Sequence, residues 1–281
     1  MNSEQLQREK HVRGRMAYAA VAAGLLLVIA AVTGLVGTHS SVDEETLALI
    51  VVHKRFPLDL IGAVINAGGL LALTAVLTFL WAAIKARRPE LSVIFRYLAL
   101  TGGILAAVSA IVYEVVISSV SNKFVGTQET YSEAHHLTSS AAVLSLPTIA
   151  FFGDLLLAVA IVVIALNAMR VGLLPKVMGY LGIFVGVLFL FPIGSPVPVI
   201  QAGWLCAVAY LFLDRWPNGF PPAWTAGEAI PWPSSQKPRD PSARPLRGRR
   251  PKPVPAPEPV VAPATGTTRS TTPKRKRKRR N

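Results

Sequence analysis

Glu114 and Asp154 stand within long apolar stretches of the chain, where an ionisable side chain is costly and by default marks a function. Asp59, Asn66 and Gln201 are polar companions in other stretches. No Lys or Arg is expected at the depth of either acid, and burial without a counter-ion favours the protonated form. A protonatable carboxyl beneath a polar vestibule suits proton or cation movement. The same groups also have a purely structural use. A protonated acid that hydrogen-bonds a Thr, an Asn or a backbone carbonyl on a neighbouring helix fixes packing.

Spacing places these residues. Gly102, Ala106, Ala110, Glu114 and Ser118 recur at every fourth position, one helix face lined with small residues that admit a close neighbour. Glu114 is therefore expected to face a bundle interior and not lipid. Asp59, Gly62, Asn66, Gly69 and Leu73 alternate by three and four along another face, and Asp154 falls between Ala150 and Ala158. Gly179, Gly182 and Gly186 form a similar face later in the chain. Glu114 lies roughly 9 Å, Asn66 roughly 12 Å and Asp154 roughly 22 Å from the outer ends of their stretches, with Gln201 shallower. The expectation is a vestibule open on one side that holds Asp59, Asn66, Glu114 and Gln201, roofed by His135 and His136, with Asp154 beneath. Pro147 either kinks its helix and frees a carbonyl near the site or is ordinary, since membrane helices tolerate proline.

The elements that must position these groups are six apolar stretches: Met16–Val36, Leu58–Ile84, Ile94–Val120, Ser140–Met169, Lys176–Phe191 and Pro196–Leu213. A hydrocarbon core about 30 Å thick needs about 20 helical residues, and only helices satisfy their own backbone hydrogen bonds there. Four stretches meet that length, and the last two suit a thin span. Lys and Arg fall mainly in alternate gaps: Arg8, Lys10, Arg13 and Arg15; Lys85, Arg87, Arg88 and Arg96; Arg170 and Lys176; then Arg215. The other gaps hold only Lys54, Arg55 and Lys123. This asymmetry predicts that both ends of the six-span domain are cytoplasmic. The first stretch is longer than a signal-peptide core and lacks a small-x-small cleavage site after it, so a retained helix is expected. Between the first two spans, Ser41-x-x-Glu44 matches a capping box, followed by a short apolar helix over 46–53 that stops before Pro57 and lies along the membrane surface or against the bundle. The loop around 194–198 reads as a tight turn.

The domain plan is a cytoplasmic segment over 1–15, the six-helix domain over 16–214 and a basic extension over 215–281. That extension holds 16 of the 29 Lys and Arg residues and 15 of the 22 prolines, so the high isoelectric point belongs to it and not to the membrane body. Pro-rich runs such as 251–259 and a block of like charges cannot build a core, and a disordered extension is expected. The block Lys274, Arg275, Lys276, Arg277, Lys278, Arg279 and Arg280 is a candidate for anionic lipid headgroups, for non-specific polyanion contact, or for solvation alone. With no interleaved aromatics, it gives no sign of specific nucleic-acid recognition.

Other chemistry is thinly represented. His135 and His136, with Glu129, Glu133, His39 and His53, are ligand types for a divalent metal, but no ligand spacing supports a site. The single cysteine, Cys206, excludes an intramolecular disulfide and a Cys-x-x-Cys centre. There is no G-x-S-x-G, H-E-x-x-H or Walker motif. No cofactor is expected.

Gly172-Leu-Leu-Pro-Lys-Val-Met-Gly-Tyr-Leu-Gly182 resembles a recurrent segment of small bacterial six-helix integral membrane proteins grouped as a domain-of-unknown-function family, in which a Leu-Pro-basic turn leads into a Leu-Gly helix. Arg215-Trp-Pro-Asn-Gly-Phe-Pro-Pro-Ala-Trp224 is similar to the segment that follows the membrane region in such proteins. The resemblance implies a six-helix architecture and a bacterial inner membrane. The expected protein is an all-α six-span bundle without enzymatic chemistry, a structural, interaction or sensing component. The alternative is a small proton- or cation-linked transporter or channel using Glu114 and Asp154. A third reading is a membrane-embedded enzyme acting on lipid or quinone.

Overall fold

The computed structural model describes residues 3–35, 45–127, 130–190, 198–217 and 219–231. Among them are eight helices and no strand: α1 (Ser3–Leu35), α2 (Glu45–Arg87), α3 (Ile94–Val125), α4 (Tyr131–Thr138), α5 (Ala141–Arg170), α6 (Lys176–Leu190), α7 (Val199–Phe212) and α8 (Pro222–Ala226). The capping box at Ser41–Glu44, His39, Glu129, the turn residues 194–197 and the basic extension from 232 onward lie outside the described residues.

α1, α2, α3 and α5 are each long and apolar enough to cross a membrane. At 1.5 Å per residue the 30 residues of α5 rise about 45 Å and the 43 of α2 about 64 Å, both more than the ~30 Å hydrocarbon core. α6 and α7 have 15 and 14 residues, rises of about 22 Å, so length alone assigns four crossing helices and not six.

The six longer helices close into a ring. α1 packs on α2, α2 on α3, α3 on α5, α5 on α6, α6 on α7 and α7 back on α1, with α2 also touching α5 across the middle. Small residues set the crossings. A side chain on Gly102 would meet the backbone nitrogen of Leu157 at 2.6 Å, and one on Gly153 would meet that of Ala106 at 2.7 Å, so α3 and α5 cross almost backbone to backbone. Gly182 likewise faces Ala165 and the indole of Trp204, whose Nε1 donates to the Met178 carbonyl at 3.1 Å. The faces of small residues expected on the third and fifth stretches are thus the packing faces.

Three elements differ from the sequence expectation. The predicted surface helix over 46–53 is not separate: α2 runs unbroken from Glu45 through Pro57. A proline inside a helix removes one N–H, and the acceptor it abandons is the carbonyl of His53, an exposed residue. The Arg55–Asp59 ion pair at 3.0 Å, spaced i,i+4, bridges the proline on the helix surface. The basic extension also begins later than residue 215. The chain packs back on the bundle over 219–231, with Ala223 and Trp224 buried. Similarly, the segment over 1–15 is part of α1, which starts at Ser3.

The half of the bundle nearest the basic helix ends is tightly packed. Leu73, Leu77, Leu157, Ile161, Trp204 and Phe212 are all essentially inaccessible. A smaller apolar cluster at the opposite end, Leu49, Ile117, Phe124, Ala134 and Val143, seats α4 on α2 and α3.

Candidate functional site

Between these two cores lies an open cavity of about 740 Å³. All six ring helices line it. Asp59, Asn66, Glu114, Asp154 and Gln201, the five polar residues singled out from sequence, all reach its wall. The rest of the wall is largely apolar or small, including Leu27, Ala31, Leu70, Ala110, Leu146 and Phe189. Pro147 also lines it, one turn above Ala150 on α5.

The helix crossings set the order of the acids. Asp154 follows Gly153, which rests on Ala106 of α3. Ala106 and Glu114 are eight residues apart on the same helix, so Asp154 sits about 12 Å deeper than Glu114. Asp59 and Glu114 occupy the end of the cavity where α1 stops, and Asp154 sits near its floor. Below the floor the bundle is packed, so the cavity is blind.

Arg55 corrects the expectation that no cation shares the depth of the acids. Its Nη2 pairs with Asp59 and also donates to the Thr33 carbonyl at 3.1 Å and, more loosely, to the Gly34 carbonyl at 3.4 Å. Those are carbonyls of the last turn of α1, which has no further helical donors, and a cation at a helix C-terminus is favoured. Glu114 lies within electrostatic reach of both Asp59 and Arg55. Arg55 thus ties α1 to α2 and supplies one positive charge at the mouth. Asp154 differs: among the described residues its carboxylate has no hydrogen-bond or ion-pair partner. The pairing of Arg55 with Asp59 was hidden because a helix boundary assigned at Pro57 separates the two residues. The i,i+4 spacing was the available signal.

Arg55→Gln is expected to destabilise the protein by about 1–2 kcal/mol through loss of the ion pair and the α1 carbonyl contacts. The unfolding midpoint in detergent measures this, with Lys54→Gln, at the exposed neighbouring position, as the unaffected control.

The histidine roof is absent. His135 and His136 are exposed on α4 and do not line the cavity, and His135 stacks on Tyr131 with ring centroids 6.2 Å apart. His53 is engaged through Nδ1 with the Asn122 side chain at 2.7 Å. Among the described residues no three His, Cys, Asp or Glu side chains group to hold a metal ion. Cys206 is exposed on α7.

Comparison with protein-family models, curated proteins and solved structures returns no match for this chain.

Proposed function

We propose that this chain is a six-span membrane protein that admits a small monovalent cation into the blind cavity and holds it at Asp154. The observation that carries this reading is Asp154, which has no hydrogen-bond or ion-pair partner among the described residues, near the floor of a cavity walled by all six ring helices. A transport role is favoured because a carboxylate without a counter-ion among the described residues, at the end of an aqueous entry, is suited to a positive ligand. The sensing reading keeps one specific support, the packed half beneath the cavity, since a blind site binds without passing its ligand onward.

Six spans are supported by the outward faces of the two short helices. Val177, Phe184 and Val187 on α6, and Val199, Ile200 and Tyr210 on α7, are exposed large hydrophobic residues that match lipid and not water. A span of about 22 Å is accommodated by local thinning of the bilayer. The basic helix ends then face the cytoplasm of a bacterial inner membrane and the cavity opens to the other side. Residues Lys274–Arg280 contact anionic headgroups at the inner surface. This reading agrees with the resemblance to small six-helix bacterial proteins.

The test is equilibrium binding of radiolabelled sodium and methylammonium to the purified protein in nanodiscs. Saturable binding of at least one probe is expected, weakened at least about tenfold in Asp154→Asn, because a charge-assisted contact contributes about 1.5–3 kcal/mol. The unfolding midpoint stays unchanged, since the carboxylate has no partner to lose. Binding that survives in Asp154→Asn, or no saturable binding of either probe, would overturn the reading.

A further inference from the structure

The cavity holds two carboxylates without a counter-charge, and they stand at different levels. Asp59 is paired with Arg55, whose Nη2 is also committed to the Thr33 and Gly34 carbonyls. Glu114 and Asp154 both line the cavity, and neither has a hydrogen-bond or ion-pair partner among the described residues. Gly153 rests on Ala106, and Glu114 lies further along α3 toward the mouth, so the two acids are about 12 Å apart along the bundle. A charge-assisted N–H···O contact spans only about 2.7–2.9 Å, so one small cation does not reach both. Each acid needs a positive group of its own.

The wall between the two levels is mostly apolar. Ala110 lies one turn from Glu114 toward the floor. Ala150 and Leu146 lie one and two turns from Asp154 toward the mouth. Asn66 adds an amide on α2, which is polar but uncharged. The small side chains at 110 and 150 keep this stretch open. A water molecule occupies about 30 Å³ in the liquid, so a monovalent ion with a single shell of waters leaves most of the roughly 740 Å³ unfilled. That volume lies within the range of about 300–1,000 Å³ that holds small organic molecules. Near the level of Asp154, Ser109 lines the same space. Its Oγ donates to the Ala106 carbonyl at 3.1 Å, which leaves the hydroxyl lone pairs for an ammonium N–H.

We infer that the cavity takes a linear diamine, an alkyl chain with a primary ammonium at each end. One ammonium meets Asp154, the other meets Glu114, and the methylenes lie along the apolar wall between them. The charges balance: two cationic groups face two carboxylates, while Asp59 and Arg55 neutralise each other. The inference rests on the reading of Asp154 given above, in which methylammonium stands for one end of the longer ligand. It adds a second contact and a length. Extended diaminooctane spans close to the ~12 Å rise between the acids, and diaminobutane falls well short of it.

The experiment measures equilibrium binding of radiolabelled diaminooctane, diaminobutane and octylamine to the full chain in nanodiscs, with uptake by empty nanodiscs subtracted. Diaminobutane reaches one acid only, and octylamine has the same chain as diaminooctane but one ammonium. Diaminooctane should therefore bind at least about tenfold tighter than either, the effect of one charge-assisted contact. Glu114→Gln should erase the preference for diaminooctane over octylamine. Asp154→Asn should weaken all three probes. Both variants should keep the parental unfolding midpoint, and the comparison of probes on the unsubstituted chain depends on no variant. The inference is overturned if diaminobutane or octylamine matches diaminooctane, if the preference survives Glu114→Gln, or if no diamine binds saturably. Methylammonium and sodium report on the reading of Asp154 alone. If they bind and respond to Asp154→Asn while the diamine preference is missing, the inference fails and that reading stands. If Asp154→Asn leaves every probe unaffected, the reading fails and the inference fails with it.

Discussion

Glu9→Ala is expected to destabilise the protein by about 3 kcal/mol, more than Arg87→Met at the other end of the same ion pair. The two side chains are 2.9 Å apart, but their exposures differ: 0% for Arg87 and 13% for Glu9. Removing Glu9 leaves a guanidinium fully buried without its counter-charge. Removing Arg87 leaves a carboxylate that water still reaches. Arg87 keeps two backbone acceptors, Ala223 at 2.9 Å and Ala83 at 2.7 Å, which hold the penalty toward the low end of the range for a broken buried pair. Combining Glu9→Ala with Arg87→Met should recover part of the loss, since a buried apolar side chain needs no partner. Unfolding midpoints of the three variants in one detergent decide the order. Equal losses for the two single variants would mean that the pair acts through packing and not through charge.

Gly153→Ala should cost about 2–3 kcal/mol, the upper range for overpacking, while the same substitution at Gly203 should be neutral or mildly stabilising. Both glycines sit in helix interiors, so helix propensity favours alanine equally at each. The surroundings differ. The new methyl at 153 would meet the Ala106 backbone nitrogen at 2.7 Å, whereas nothing lies within 4 Å at 203. Backbone does not rotate away as a side chain does, so α3 and α5 must separate. Asp154 is the next residue, and it moves with that separation. Probe binding at Asp154 should therefore weaken in Gly153→Ala and remain at the parental level in Gly203→Ala. Equal stability of the two alanine variants would refute the close crossing.

Much of the site was legible because membrane burial makes polarity rare. Within long apolar runs, Glu114, Asp154, Asn66 and Gln201 stand out without any alignment, and the small residues at four-residue spacing indicate which way Glu114 faces. The misjudged elements share one cause, a local signal outweighed by longer-range contacts. Pro57 reads locally as a helix end, yet α2 continues past it, and the tie of Arg55 to Asp59 and to α1 depends on that continuation. The aromatic and proline residues after Arg215 have the composition of an extension, but Trp224 packs between Phe79 and Phe212 and donates to the Leu173 carbonyl, contacts that local composition does not show. The histidine pair looked like a roof because loop length does not say where a loop folds, and α4 packs on α2 and α3 instead.

By itself the sequence determined that the described chain is helical, that four helices are long and apolar enough to cross a membrane, and which polar residues stand inside them. Hydropathy and helical periodicity are properties of neighbouring residues, and in lipid a long continuous apolar run satisfies its own backbone hydrogen bonds as a helix. Tertiary structure alone decided that six helices close into a ring, that Asp154 lines the same cavity as the four polar residues expected above it, that Arg55 caps α1 at its mouth, and that Trp224 packs into the opposite end. Those facts depend on which helix faces meet. Close contacts such as Gly102 and Gly153 against backbone, or Gly172 against Ile230, choose one arrangement among the many that the same pattern of apolar faces would allow.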